Sequence, residues 1–311
     1  MAAALALSER GRGRTAPNPN VGCVLVKDGV VVGRGWTQPR GRPHAEAMAL
    51  AEAGEKSRGA TAFVTLEPCA HESARGPACS GLLIEAGVAE VVIALGDPDP
   101  RTNGKGAQRL RDAGIRVSEG VLEAQARAAM AGFLTRQSLG RPFVTLKLAT
   151  SLDGRIAREA GKDRWITGQE ARAHAHLERT RHEAILVGRG TFDADTPRLD
   201  VRLPGLEGRS PRRFILSRRP RENGDWEWLE SPAAIAALES VDHLLVEGGA
   251  GTASAFLREG LVDRLLLYRA PVLIGTGTAA LGDIGLADEA RWTLTDSRSL
   301  GSDRLEVYAA R

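Results

Sequence analysis

Cysteine is scarce in this chain. Three residues in 311 cannot all pair and cannot build a disulfide scaffold, so the sequence predicts a reducing, cytoplasmic setting with free thiols. Charge of one sign is lacking too. Lys and Arg total 42 against 39 Asp and Glu, a net +3, and there is no polybasic block or basic stripe interleaved with aromatics. That balance argues against a nucleic-acid partner, while a few well-placed arginines still suffice for a small phosphorylated molecule. No apolar run approaches the ~18 residues of a membrane span, so no membrane association is expected. The opening MAAALALSERGRGR has an apolar stretch too short for a secretory core and no basic residues before it; it is read as a helix ending at Gly11. No internal repeat is visible.

What is present is enough chain for two domains with full cores. Gly140-Arg141-Pro142 ends a helical pattern immediately before a new strand, which predicts domains over 1–140 and 141–311. In the first, Val21–Val26 and Val30–Gly35 flank Lys27-Asp28-Gly29, a hairpin signal, with Cys23 a buried apolar side chain. Helices at 44–53, 80–86, 106–113 and 122–138 then alternate with strands at 62–66, 91–95 and 115–118, the rhythm of a three-layer α/β domain. The second half reads as another α/β unit. Strands are expected at 143–148, 184–187, 213–216, 243–246, 264–268 and 304–309, helices at 169–183, 232–238 and 252–258, and exposed loops at 203–210 and 219–225.

The most specific chemistry lies in HAEAMALAEAGEKSRGATAFVTLEPCAHESARGPAC, residues 44–79. His44, Cys69 and Cys79 are an imidazole and two thiols suited to one tetrahedral zinc with an open fourth position. Glu46 follows His44 by two residues. On a helix's first turn both side chains can fan around the exposed end, which puts a carboxylate beside the metal without making it a ligand. Pro68 stops the strand before it, so Cys69 should sit at the strand's C-terminal lip. Gly76 and Pro77 turn the chain into a helix near Cys79, whose thiol is expected to gain thiolate character from the helix N-terminus and the metal. Zinc lowers the pKa of a bound water from about 15.7 toward 7, and Glu46 can take that proton and later return it. H-x-E followed by P-C and a further Cys is the zinc-deaminase pattern, here with nine residues between Cys69 and Cys79 where the common form has two. Inert buried cysteines and a solvated histidine are the bland alternative, and the joint occurrence of HAE, EPC and a third ligand argues against it. A purely structural zinc would be closed by four protein ligands.

The second half is less readable from residue types. Val246-Glu-Gly-Gly-Ala-Gly-Thr252 lies between a strand and a helix, where glycines allow close backbone approach and a helix N-terminus can hold phosphate. Val187-Gly-Arg-Gly-Thr191 repeats the arrangement. Such turns serve a nucleotide or serve packing, and the pattern alone does not choose.

TAPNPNVGCVLV, RPHAEAMAL and TLEPCAHESARGPAC in the first half, and RPFVTLKLATSLDGRIA, RWITGQEAR, AILVGRGTFDADTPRL and LLVEGGAGTASAFLREGLVDRLLLYRAP in the second, resemble the RibD family of riboflavin biosynthesis in matching domain order. The resemblance implies an α/β fold: an N-terminal three-layer α/β/α cytidine-deaminase-like domain and a C-terminal dihydrofolate-reductase-like domain. It implies zinc-dependent hydrolytic deamination of 2,5-diamino-6-ribosylamino-4(3H)-pyrimidinone 5′-phosphate, then NADPH-dependent reduction of the ribosyl to a ribityl side chain. Partners would be small phosphorylated pyrimidines and further copies of the chain in a homo-oligomer. Carried onto this sequence, it makes His44, Cys69 and Cys79 the zinc ligands, Glu46 the proton shuttle, and Asn18, His71 and Arg75 contacts of the first substrate. NADPH contacts would be Ala149, Trp165, Thr191, Asp195 and the turn Gly249, Ala250, Gly251, Thr252, Ala253, Ser254 and Ala255. Asp163, Arg179, Leu199, Arg202 and Glu247 would meet the second substrate, with Lys147 a catalytic polar partner of the ribose. The chain departs from the family at Thr37, where His is common, and at Asp163, where a small hydroxyl residue is usual. Thr196 and Ser217 each replace an Asp, and the gap from Cys69 to Cys79 is one residue longer. A nucleic-acid deaminase shares H-x-E and P-C, but it needs a basic channel that this charge balance does not offer.

Overall fold

β1 (Gly22–Lys27) and β2 (Val30–Trp36) pair antiparallel across Asp28 and Gly29, whose φ angles of 50° and 76° are what a two-residue turn of this hand demands. The computed structural model describes residues 1–72, 76–158, 165–219, 224–285 and 292–310, and its contacts divide the chain into Met1–Gly140 and Arg141–Arg311.

Glycines set the layers of the first unit. Gly22 pairs with Trp36 and Gly35 with Cys23, so these two glycines face opposite sides of the sheet. A Cβ on Gly22 would stand 1.9 Å from the Ala4 carbonyl oxygen of α1 (Ala2–Ser8), and one on Gly35 would stand 2.0 Å from the Ala45 carbonyl oxygen of α2 (Ala45–Ala53). The two helices therefore press on opposite faces, each in backbone contact that a side chain would forbid. β3 (Thr61–Val64) joins β1 antiparallel, and β4 (Glu90–Ile93) and β5 (Arg116–Ser118) continue parallel, giving the order β2-β1-β3-β4-β5. α3 (Cys79–Glu85) and α4 (Lys105–Asp112) connect these strands. The helix expected over 122–138 is two helices, α5 (Glu123–Ala129) and α6 (Ala131–Leu139). They break at Met130, which has φ −106° and ψ 20° and whose fully buried side chain is held in the core. Cys23 is fully buried, as its place in the strand predicts.

The second unit is an eight-stranded sheet in the order β10-β9-β8-β11-β6-β12-β15-β14. Six strands run parallel: β6 (Phe143–Thr150), β8 (Ala184–Gly188), β9 (Arg212–Leu216), β10 (Trp226–Leu229), β11 (His243–Val246) and β12 (Arg264–Arg269). β14 (Trp292–Leu300) and β15 (Asp303–Ala310) close it antiparallel, and β7 (Arg155–Arg158) pairs with β13 (Gly277–Ala279) apart from it. The central strands β8 and β11 are buried along their length, as all-parallel strands covered on both faces must be. Of the helices, α7 (Gln169–Arg179) ends four residues before the expected Glu183, α8 (Arg189–Asp195) was not foreseen, and α9 (Ala250–Arg258) begins two residues earlier than expected. The helix expected at 232–238 is a 3₁₀ turn over Pro232–Ala237. Among the described residues, no helix is long and apolar enough to cross a membrane.

Candidate active sites

In the first unit, α2 and α3 aim their N-terminal ends at one point. His44 is the N-cap residue of α2 in extended conformation, so its imidazole leaves the helix end, while Glu46 on the first turn is buried. α3 begins at Cys79. The donor atoms of His44, Cys69 and Cys79 all lie within 4.8 Å of one another. His44 Nδ1 stands 3.3 Å from Cys79 Sγ and 3.8 Å from Cys69 Sγ. A tetrahedral zinc with bonds of about 2.3 Å to sulfur and 2.0 Å to nitrogen spaces its donors by roughly 3.5–3.8 Å, so the residues present fit the ion. Asn18 Nδ2 lies 3.2 Å from His44 Nε2 and steadies the far side of the ring.

The electrostatics single out two groups. Burial pushes the Glu46 carboxyl up to about 6, with His44 opposing, and its Oε2 is buried without a hydrogen-bond partner. A buried carboxylate oxygen with no protein partner, next to three metal donors, fits a group that handles protons at the metal rather than one that binds it. In the metal-free chain the two thiols differ. The first N–H of α3, on Cys79, donates to Cys69 Sγ at 3.2 Å, and Cys69 also accepts from the Cys79 thiol and His44. The Cys69 thiol is thus held well below the ordinary thiol range, while Cys79, which shares its hydrogen bond and is buried, is pushed up; both would serve zinc as thiolates. A helix N-terminus favours the anion its N–H groups point at, and they point at the neighbouring cysteine.

Sequence reasoning passed over Glu67, one residue before Pro68-Cys69. It is buried, and its carboxylate accepts the N–H groups of Gly104 and Ala107 at 3.0 Å each and of Asp97 at 3.3 Å, so it caps α4 and fixes the loop that delivers Cys69. Gly106 completes the fit, because a Cβ there would stand 2.0 Å from the Pro68 carbonyl oxygen. An acid in an otherwise apolar strand exit was the available signal. His71 is half-buried, with Nδ1 3.4 Å from Thr102 Oγ1. Asp97 and Asp99 follow β4: burial lifts the first to about 6, and the Arg101 guanidinium lowers the second to about 2. Thr37 is buried and accepts the Val21 N–H at 2.9 Å, so it serves the backbone. Arg75 lies outside the described residues, as does Asp163.

In the second unit the Gly-rich turns stand at the C-terminal ends of adjacent parallel strands, β8 and β11, where open α/β sheets bind ligands. They interlock. A Cβ on Gly188 would be 2.0 Å from Thr252 Oγ1 and one on Gly248 2.5 Å from Thr252 Cβ, while Gly249 N donates to Thr191 Oγ1 at 3.0 Å. Of the assigned turn, Thr252, Ala253 and Ser254 are buried, and Ala253 packs in the core, so Gly249, Ala250 and Gly251 present the α9 N-terminus. Asp195 ends α8, and Trp165, 46% exposed, carries the Arg172 guanidinium 4.9 Å from its ring centroid.

Beside these turns Glu247 follows the last residue of β11, and its carboxylate takes Arg179 in a fork, Nε at 2.8 Å and Nη2 at 2.9 Å. Arg179 and Lys147 overcome burial to hold Glu247 at about 2. Lys147, on β6, is lowered by burial and lies 5.8 Å from the Tyr268 ring centroid. Ala149 is two residues further along the same strand, facing the same side. Leu199 is buried beside Ile185, Val187 and Leu245 with φ of 52°, a conformation a side chain adopts only when its surroundings impose it. Arg202 is half-exposed, and its backbone N–H meets His176 Nδ1 at 3.3 Å. The structure thus brings Lys147, Arg179 and Glu247 together, and Thr191 against Gly249.

Residues 142–305 match the family described as RibD C-terminal domain, and residues 1–95 the cytidine and deoxycytidylate deaminase zinc-binding region. The chain is 40% identical over 354 aligned positions to riboflavin biosynthesis protein RibD of Escherichia coli, covering 97% of this chain and 96% of that one. It is 43% identical over 291 positions to the protein of that name from Corynebacterium ammoniagenes, covering 87% and 84%. The crystal structure of the diaminohydroxyphosphoribosylaminopyrimidine deaminase/5-amino-6-(5-phosphoribosylamino)uracil reductase of Thermotoga maritima superposes with a TM-score of 0.89 at 34% identity, covering all of this chain and 97% of that one. RibD of Acinetobacter baumannii superposes at 0.90 with 38% identity and the same coverage.

Proposed function

The chain belongs to the RibD family, and on that premise we propose how its sites divide the work. It is a bifunctional enzyme of riboflavin biosynthesis, a zinc-dependent deaminase and an NADPH-dependent reductase. We assign the deaminase to Met1–Gly140 and the reductase to Arg141–Arg311. The first step takes the amino group of 2,5-diamino-6-ribosylamino-4(3H)-pyrimidinone 5′-phosphate, exchanging it for oxygen from water with release of ammonia. The second adds hydride and a proton across the opened sugar to give the ribityl chain. The observation that carries the first assignment is the convergence of His44, Cys69 and Cys79 beside Glu46 and its unpartnered buried oxygen.

His44, Cys69 and Cys79 would hold the zinc, which would supply a Lewis acid that lowers a water's pKa toward about 7. Glu46, whose buried carboxyl is pushed up to about 6, is the residue that would hold the proton of the attacking water and pass it to the departing amine. Asn18 holds the His44 ring and borders the space where the pyrimidine lies. His71 and Arg75 are assigned to the 5′-phosphate. In the reductase, Gly249, Ala250 and Gly251 at the α9 N-terminus and Thr191 take the dinucleotide phosphates, with Ala149, Trp165 and Asp195 along its length. Arg179, Leu199, Arg202 and Glu247 line the sugar phosphate, and Lys147 holds a proton at the ribose oxygen as the sugar opens. The free thiols fit a cytoplasmic enzyme, and a homo-oligomer is proposed.

Metal analysis with an ammonia assay tests the reading. One zinc per chain is expected, and Cys69→Ser or Cys79→Ser should lower zinc occupancy and abolish ammonia release. Full deamination by a metal-free preparation would contradict it.

A further inference from the structure

β6 and β12 are neighbours in parallel register, with Lys147 beside Leu266 and Ala149 beside Tyr268, so these four side chains stand on one face of the sheet. Tyr268 is the bulkiest of the fully buried side chains, packed with Ala171 and Ala175 of α7, with Leu266, and with Leu305 and Val307 of β15. A phenol this deep needs a partner for its hydroxyl. His174, half-buried on α7, supplies it, with Nδ1 2.8 Å from Tyr268 Oη. Packing around the ring and the bond at its tip together fix its orientation.

Lys147 Nζ lies over that ring, 5.8 Å from its centroid, inside the ~6 Å over which the negative face of an aromatic attracts a cation. Among the described residues, no hydrogen bond or ion pair takes the Lys147 ammonium. The Glu247 carboxylate acts on it through space, but its own oxygens are forked to Arg179. An ammonium on a flexible four-carbon stem has many rotamers to lose. The ring face is thus the described contact that holds its head. A ring face also brings no lone pair to compete for the N–H donors, which stay available to a ligand oxygen.

We propose that Tyr268 is a positioning residue of the reductase site: its ring face holds the Lys147 ammonium for the substrate, and His174 holds the ring. This rests on the reading of Lys147 given above, as the group that holds a proton at the ribose oxygen. No bond forms or breaks at Tyr268. The competing role for a buried tyrosine is to fill the core, and chemistry separates the two. Core filling depends on the size and shape of the ring, whereas a hold on Lys147 depends on the negative charge of its face. Fluorine atoms on the ring withdraw that charge and change its shape little.

The experiment places phenylalanine and its mono-, di- and trifluorinated forms at position 268 of the full chain and follows NADPH consumption at saturating deaminated substrate. Each form is measured with Lys147 present and in Lys147→Met. With Lys147 present, Tyr268→Phe should keep most of kcat, and kcat should then fall with each added fluorine, by roughly 3- to 30-fold across the series. Lys147→Met should be slower from the start by about 10²-fold or more, and in it the series should be flat to within about twofold, because the ring has no cation to hold. Melting temperatures should stay level across the series, which separates this effect from loss of folding. A flat series with Lys147 present, or the same slope in both backgrounds, would overturn the proposal and leave Tyr268 a core residue, with the reading of Lys147 intact as long as Lys147→Met is slow. If Lys147→Met reduces the substrate at full rate, that reading is wrong and the proposal falls with it.

Discussion

Replacing Glu46 by Gln sets catalysis against stability, and the structure gives both signs. The carboxyl is fully buried and lifted from an ordinary 4.5 to about 6, so in the zinc-free protein its ionised form is disfavoured by folding. A folded pKa raised above the unfolded value contributes stability that is present below the unfolded pKa and lost as pH rises through the folded one. The difference corresponds to about 2 kcal/mol lost once pH exceeds 6. Gln keeps the shape without the charge, though its amide must also be desolvated, which reduces the gain. Zinc-free Glu46→Gln should therefore be more stable than the unmodified protein at pH 7.5, by up to about 2 kcal/mol, and nearly equal to it at pH 4.5. Denaturant titrations of the first unit's transition at the two pH values measure this. In the zinc-loaded enzyme the same change removes the proton carrier and should slow ammonia release by ~10²–10⁴, while reduction of supplied deaminated substrate continues. A variant destabilised by the same amount at both pH values, or one that still releases ammonia at full rate, would refute the reasoning.

Glu247→Ala should be among the most damaging changes in the second unit, since it leaves Arg179 buried without its forked partner; a loss of about 3–5 kcal/mol should appear as a lower melting temperature of that unit alone. Gly35→Ala would place a Cβ 2.0 Å from the Ala45 carbonyl oxygen and force α2 outward. It should cost about 1–3 kcal/mol or more and weaken zinc affinity through His44 and Glu46, measured by competition with a chelator, whereas Gly29→Ala at the open hairpin tip should leave zinc affinity unchanged.

The metal site was legible because its chemistry is written in residue types. His44, Glu46, Cys69 and Cys79 are uncommon enough together that spacing and local structure bring them to one point. The hydrogen bond that sets the two sulfurs apart was not legible, because it depends on the direction of one N–H, from Cys79 to Cys69. The central strands β8 and β11 announced themselves as continuous apolar runs. The outer strand β14, WTLTDSRSL, is mostly exposed and reads as polar loop until β15 is there to pair with it. α8 buries no residue fully, so it lacks the apolar stripe that reveals a helix. Glu67 was missed for a related reason: it acts through backbone groups of a distant segment, 97–107, and no local pattern records such a meeting.

The central claim is that one chain performs both steps, and the most direct measurement is mass spectrometry of the pyrimidine products after incubation with the purified zinc-loaded protein. Without NADPH, the diaminopyrimidinone phosphate should exchange an NH for an oxygen and go no further; with NADPH, the product should in addition gain two hydrogens. An unchanged substrate, or a reduced product that still carries the amino group, would contradict the account.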